Sequence, residues 1–191
     1  DVEQIAKGEP TEAALVTDAA KHGYTTSDLA ASRPRIGEAP FDSKRKMMSV
    51  VVRTRSGRIV QHTKGAPDEI LARCTKIMTS DGVIDLTDEV RADVLSQNKS
   101  MADQALRVMA SARRDWGNTA PENFDASNLE KDMTFVGLSG MIDPVRPEVK
   151  AAIEEAHSAG MRVVMITGDH IDTAIAIATE LGIIDNRNQA I

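Results

Sequence analysis

The chain holds 191 residues, 41% of them hydrophobic and 27% charged, with a formal net charge of -6. That length and apolar content suit one sizeable domain or two modest ones with a real core, and the negative balance argues against a general nucleic-acid surface. A single cysteine, Cys74, excludes an intrachain disulfide, and no run approaches the ~20 apolar residues that a bilayer-crossing helix needs.

Taken in chain order, Pro10 to Lys21 is a predicted helix, with proline where a first turn tolerates it and Gly23 just past its end. Residues 24 to 40 carry Ser32, Pro34, Gly37 and Pro40 and are expected to form a helix remnant and a loop leading into Phe41. Met48 to Arg55 and Arg58 to Lys64 are rich in Val and Ile around Ser56-Gly57, the pattern of a hairpin. A short helix follows over Asp68 to Cys74, then a second hairpin over Lys76 to Asp85 turning at Asp81-Gly82. Thr87, with Val90 three residues later, opens a long helix to about Ala105, and Leu106 to Ala112 is an apolar strand. Asn118 to Asn128 has the composition of a linker. After it the pattern becomes doubly wound: a strand over Thr134 to Ile142, a helix over Pro147 to Ser158, a strand over Met161 to Ile166 and a helix over Ile171 to Leu181. The expected fold is therefore α/β, with hairpins and helices in the first two thirds and a βαβα unit in the last. Because it begins at Asp1 and stops soon after the last helix, the chain is expected to be a piece of a longer protein.

Two groups of residues carry chemistry. The run Met161-Arg-Val-Val-Met-Ile-Thr-Gly-Asp169 is a branched-apolar strand ending in a hydroxyl, a glycine and a carboxylate, the place where open α/β sheets bind ligands. A helix beginning there would aim free N–H groups at an anion. Asp143 follows the preceding strand and would emerge on the same edge, so that Asp143, Asp169 and Thr167 could orient a phosphoryl transfer; the plainer alternative is that both carboxylates cap helices. The second group joins Phe41 and Lys44-Arg45-Lys46 to Lys64 on an adjoining element. An adenine ring could stack on the aromatic face while the lysines neutralise phosphates; the alternative is a solvated loop with one hydrophobic anchor. There is no Walker A loop, no Gly-x-Gly-x-x-Gly fingerprint and no paired histidine spacing, so no metal ligands are assigned.

With those pieces laid out, the chain resembles the cytoplasmic catalytic region of P-type cation-transporting ATPases, nearest to the calcium-pump-like class. The blocks that carry the resemblance are Lys7-Gly-Glu-Pro-Thr-Glu-Ala-Ala-Leu15, Phe41-Asp-Ser-Lys-Arg-Lys-Met-Met-Ser-Val50, Lys64-Gly-Ala-Pro67, Leu106-Arg-Val-Met-Ala110 through Arg114-Asp115, Gly140-Met-Ile-Asp-Pro-Val-Arg146 and Met165-Ile-Thr-Gly-Asp169. The resemblance implies a nucleotide-binding domain over residues 1–125, with a mainly antiparallel twisted sheet flanked by helices, joined to part of a haloacid-dehalogenase-like phosphorylation domain over 126–191. It implies that Phe41 stacks on adenine, Glu12 lies near the adenine edge, Lys46, Lys64 and Gly65 line the pocket, and Arg114 reaches the phosphates, with Arg113 beside it as the other candidate. It places Thr167 and Gly168 at the transferred phosphoryl group, Asp143 and Asp169 around it, and Arg146 near the nucleotide. The family's phosphorylated aspartate sits in an Asp-Lys-Thr-Gly-Thr segment that these residues do not contain. ATP is the implied ligand, Mg2+ is implied for the parent enzyme only, and the implied partners are the actuator and transmembrane domains of the parent pump, with no nucleic acid and no direct membrane contact. The expectation is a soluble fragment at the cytoplasmic face of a membrane that binds ATP but neither forms the phosphoenzyme nor hydrolyses ATP by itself. A stand-alone haloacid-dehalogenase-like phosphatase and a non-catalytic nucleotide-sensing or interaction module are the competing readings.

Overall fold

Described over residues 9–104, 106–142, 147–167, 171–186 and 188, the computed structural model starts with helices α1 (Pro10–Lys21) and α2 (Thr26–Ser32) and strands β1 (Arg35–Asp42), β2 (Met47–Arg53) and β3 (Ile59–Gly65). It continues through α3 (Pro67–Ala72), β4 (Cys74–Thr79), β5 (Gly82–Asp85), α4 (Asp88–Ala102), β6 (Arg107–Gly117), α5 (Ala126–Leu129), β7 (Met133–Met141), α6 (Pro147–Ser158) and α7 (Ile171–Glu180). The strands form one seven-stranded sheet in the order β1-β2-β3-β6-β7-β4-β5. β1 with β2, β2 with β3, β3 with β6 and β4 with β5 pair antiparallel, whereas β4 and β7 pair parallel. This is the α/β architecture expected, a mixed and mostly antiparallel open sheet flanked by helices.

Alternation along the strands decides which face is covered. Met47, Ser49 and Val51 of β2 are fully buried, and across the ladder Ser49 pairs with Thr63 and Val51 with Gln61 of β3, both buried as well. On that face Ala39, Val51, Ile59 and Leu129 form a core cluster to which Ile36, Trp116, Phe124 and Ala126 add. The Phe124 ring lies directly on Gly37, where a Cβ would sit 2.2 Å from a ring carbon. The Thr87 cap forms as expected, its hydroxyl accepting the Val90 N–H at 3.3 Å.

Three differences from the sequence expectation have physical reasons. The segment expected as a loop before Phe41 is strand β1, because it lies at the sheet edge, where Pro40 can be accommodated without interrupting a two-sided ladder. β6 runs on to Gly117 instead of stopping at Ala112, since β3 offers it partners as far as Ile59↔Gly117. The strand expected to open a βαβα unit does form, as β7, but it lies between β6 and β4 of the same sheet. Both its edges are thereby taken. Met161 to Ile166, expected as the buried partner strand, forms no strand, and Val164 and Ile166 are 66% and 94% exposed. A strand exists by virtue of its neighbours' hydrogen bonds, and the apolar run does not supply them by itself.

The helices around that run form as expected. Gly160 and Gly182 end them at φ 75° and 73°, with Met161 N–H donating to Ala156 O at 2.9 Å and Ile183 N–H to Ala178 O at 2.8 Å. Two compact units result, Asp1–Ala92 with Met109–Ser139, and Asp93–Val108 with Gly140–Ile191. Among the described residues, Val94, Ile153, Ala178 and Leu181 are the buried apolar residues of the second.

Candidate functional site

The turn from β1 to β2 is built by Asp42. Its Oδ1 accepts the N–H groups of Lys44 and Arg45, each at 2.9 Å, and its carbonyl accepts the N–H of Lys46 at 2.7 Å. The Arg45 N–H is the largest influence holding the Asp42 carboxyl below the ordinary carboxylate range; desolvation opposes it, and the Lys44 N–H and the Arg45 charge assist. Lys46 closes the turn at φ 53°, a left-handed conformation that a non-glycine residue adopts only when its surroundings hold it there.

Phe41 enters this turn through a register shift between Ala39 and Asp42. The extra residue resets the alternation of the strand: Ala39 is 3% exposed and Phe41, two residues on, is 65% exposed. An aromatic ring is thereby left free beside a basic turn. One strand over, Met48 pairs with Lys64 and Met47 with Gly65. Gly65 is obligatory, since a Cβ there would lie 2.4 Å from Lys46 O and 2.5 Å from Met47 Cβ. That close approach brings β3 against the turn, reinforced by the Ala66 N–H donating to Lys46 O at 3.0 Å. The Lys64 ammonium forms an ion pair with the Glu12 carboxylate of α1, so Glu12, Lys64, Gly65 and Lys46 belong to one neighbourhood.

Arg114 is not part of it. Cross-strand register pairs Lys64 with Ser111 and His62 with Arg113, so these four share one face, while Arg114 pairs with Gln61 on the covered face. There its guanidinium stacks over Trp116, 4.1 Å from the ring centroid, and donates to the carbonyls of Asn128 at 3.2 Å and Lys131 at 3.0 Å. It fastens the α5 segment to the sheet. Arg113 is the arginine of the pair that shares the Lys64 face, a distinction that consecutive arginines in a sequence do not reveal. His62, another residue of that face missed from sequence, keeps an exposed edge; loss of solvent around the ring, aided by the charges of Arg33 and Arg113, lowers its pKa below the ordinary value.

Of the residues read as a phosphoryl site, Thr167 is exposed in the segment between α6 and α7. Asp143, Arg146, Gly168 and Asp169 lie outside the described residues. Cys74 is buried, and burial pushes its thiol up to about 12, so it remains a protonated core residue at neutral pH. Chemically, the ring of Phe41 and the cations of Lys46 and Lys64 suit a flat heteroaromatic group carrying negative charge.

The family model described as "P-type ATPase, cytoplasmic domain N" matches residues 1–148. The calcium-transporting ATPase of Bacillus subtilis is 42% identical over 181 residues, 95% of this chain and 20% of that protein. The cation-transporting ATPase pma1 of Synechocystis is 40% identical over 178 residues, 92% of this chain and 19% of that protein. The sodium/potassium exporting P-type ATPase cta3 of Schizosaccharomyces pombe is 41% identical over 187 residues, 95% of this chain and 17% of that protein. The chain thus spans about a fifth of the length of these relatives. Among the described residues, no helix is long and apolar enough to cross a membrane.

Proposed function

The chain belongs to the P-type ATPase family, as a cytoplasmic part that includes domain N, and from that premise we propose that it binds ATP on behalf of an ATP-driven membrane cation pump. The single observation that carries this reading is the exposed Phe41 ring set beside the Lys46 turn, with Lys64 two strands over across β2. The ring would stack on adenine, and the lysines, each a compact charge on a flexible stem, would face the phosphates. Glu12 would compete with those phosphates for the Lys64 ammonium, which makes ATP binding weak and salt-sensitive.

A calcium-type pump is the proposed parent, supported by the name of the B. subtilis relative. The nucleotide-binding domain is proposed to extend through β7, because that strand completes the sheet, so that residue 125 marks the entry to α5 rather than the domain's end. The remainder, with Asp143, Arg146, Thr167, Gly168 and Asp169, is proposed as part of a phosphorylation domain whose acceptor aspartate and magnesium ligands belong to the rest of the parent. By itself the chain would bind ATP without becoming phosphorylated, at the cytoplasmic face of the membrane in the parent.

The test is calorimetric titration of the 191-residue chain with ATP, with and without Mg2+. Stacking of a base on an aromatic side chain contributes about 1–3 kcal/mol, so Phe41→Ala should weaken binding about ten-fold. Lys64→Ala should also weaken it. Unchanged affinity in both variants would overturn the assignment.

A further inference from the structure

Behind the Asp42 turn, the covered face of the sheet holds a continuous polar chain that the nucleotide reading does not use. Trp116 Nε1 donates to Gln61 Oε1 at 3.1 Å, and Gln61 Nε2 donates to Leu129 O and to Thr63 Oγ1, each at 2.9 Å. Thr63 Oγ1 lies 2.8 Å from Ser49 Oγ, which donates to Glu130 Oε1 at 3.3 Å. Each hydroxyl has one proton, so the direction is determined: Thr63 donates to Ser49, Ser49 to Glu130, and the chain ends on a carboxylate that only accepts. Arg45 meets the same carboxylate with Nη1, and its Nη2 donates to Pro40 O at 2.7 Å. Glu130 is 6% exposed.

The backbone that this guanidinium grips is the backbone that presents the pocket. Pro40 precedes Phe41 and Arg45 precedes Lys46, so one Arg45–Glu130 pair holds both ends of the turn from below. Burying the Glu130 carboxylate is a poor way to gain stability, because its desolvation offsets much of the attraction to the partly exposed Arg45. What it supplies is a directed contact. We propose that Glu130 is a positioning residue for the nucleotide pocket, holding Phe41 and Lys46 in their binding arrangement through Arg45. This rests on the reading of Phe41 as the adenine-stacking residue.

The experiment titrates ATP into the 191-residue chain and its variants at a temperature where each is folded by circular dichroism. Glu130→Ala should weaken ATP binding about five-fold, within the coupling seen for residues of one network, and Glu130→Gln should recover part of the loss by keeping an acceptor. Ile59→Val, a buried change at the far end of β3, lowers stability without touching the turn and should leave affinity unchanged. In a Phe41→Ala background the Glu130→Ala effect should shrink, since only Lys46 is left to position. If Glu130→Ala does not fold, Arg45→Gln, at a partly exposed position, is read in its place. Phe41→Ala weakening binding while Glu130→Ala and Arg45→Gln do not would overturn the positioning role alone. Phe41→Ala without effect would overturn the pocket reading and this inference with it. A loss of affinity with Ile59→Val equal to that with Glu130→Ala would reduce Glu130 to a stability residue.

Discussion

Two stretches of this chain look like loaded ligand sites in the sequence, and they fare differently. The β1–β2 turn leads into β2, which pairs with β1 on one side and β3 on the other, and Gly65 of β3 is pressed against the turn. The Met161 to Thr167 run has the stronger apolar pattern, yet it forms no strand and leaves Ile166 almost wholly in solvent. The contrast teaches that a local pattern becomes a site only when the partners that its geometry requires are in reach. A hairpin brings its own partner; a parallel strand depends on a segment elsewhere.

The two regions should differ most in their response to a change at Gly65. Gly65→Ala should cost about 3 kcal/mol or more, as overpacking against backbone does, and abolish ATP binding with it. A thermal midpoint close to that of the unaltered chain would show that β3 does not press on the turn. Next in size are paired truncations in the two regions. Val51→Ala, in the buried core of the sheet, should lose about 2–3 kcal/mol in urea unfolding, whereas Ile166→Ala should change stability by less than about 0.5 kcal/mol. An Ile166→Ala loss above about 1 kcal/mol would mean that the run is covered in solution. A smaller effect separates the two arginines: Arg114→Ala should cost about 1–2 kcal/mol by leaving two carbonyls without their donor, while ATP affinity of the folded protein stays the same.

The smallest effect concerns pH. The pKa of His62 is lower in the folded chain than in the unfolded one, so between the two values the unfolded state binds more protons. Its contribution is therefore fully present above the unfolded value near 6.5 and is lost as pH falls from there toward the folded value. His62→Gln should flatten that part of the stability curve; an unaltered slope between pH 7 and pH 5 would assign it to other groups.

Much of the fold was legible in the chain because it is local. Ser56-Gly57 and Asp81-Gly82 turn where expected, Thr87 caps its helix, and Gly160 and Gly182 stop theirs, since each depends on residues a few positions apart. The aromatic and the lysines of the candidate pocket were legible for the same reason, lying on one hairpin and its approach. Arg114 was not, because alternation sends neighbouring side chains to opposite faces and only the register with β3 tells which face is which. Glu130 gave no signal at all: its partners Arg45 and Ser49 are 85 and 81 residues away.

The family, the hairpins and most of the helices are written along the chain, in ordered motif blocks, turn chemistry and periodicity. Only the tertiary structure decided that β7 joins the seven-stranded sheet, that Arg114 turns inward onto Trp116, and that Glu130 anchors the Phe41–Lys46 turn. Those outcomes depend on which strands pair and in what register, and pairing is a property of distant segments competing for the same backbone hydrogen bonds.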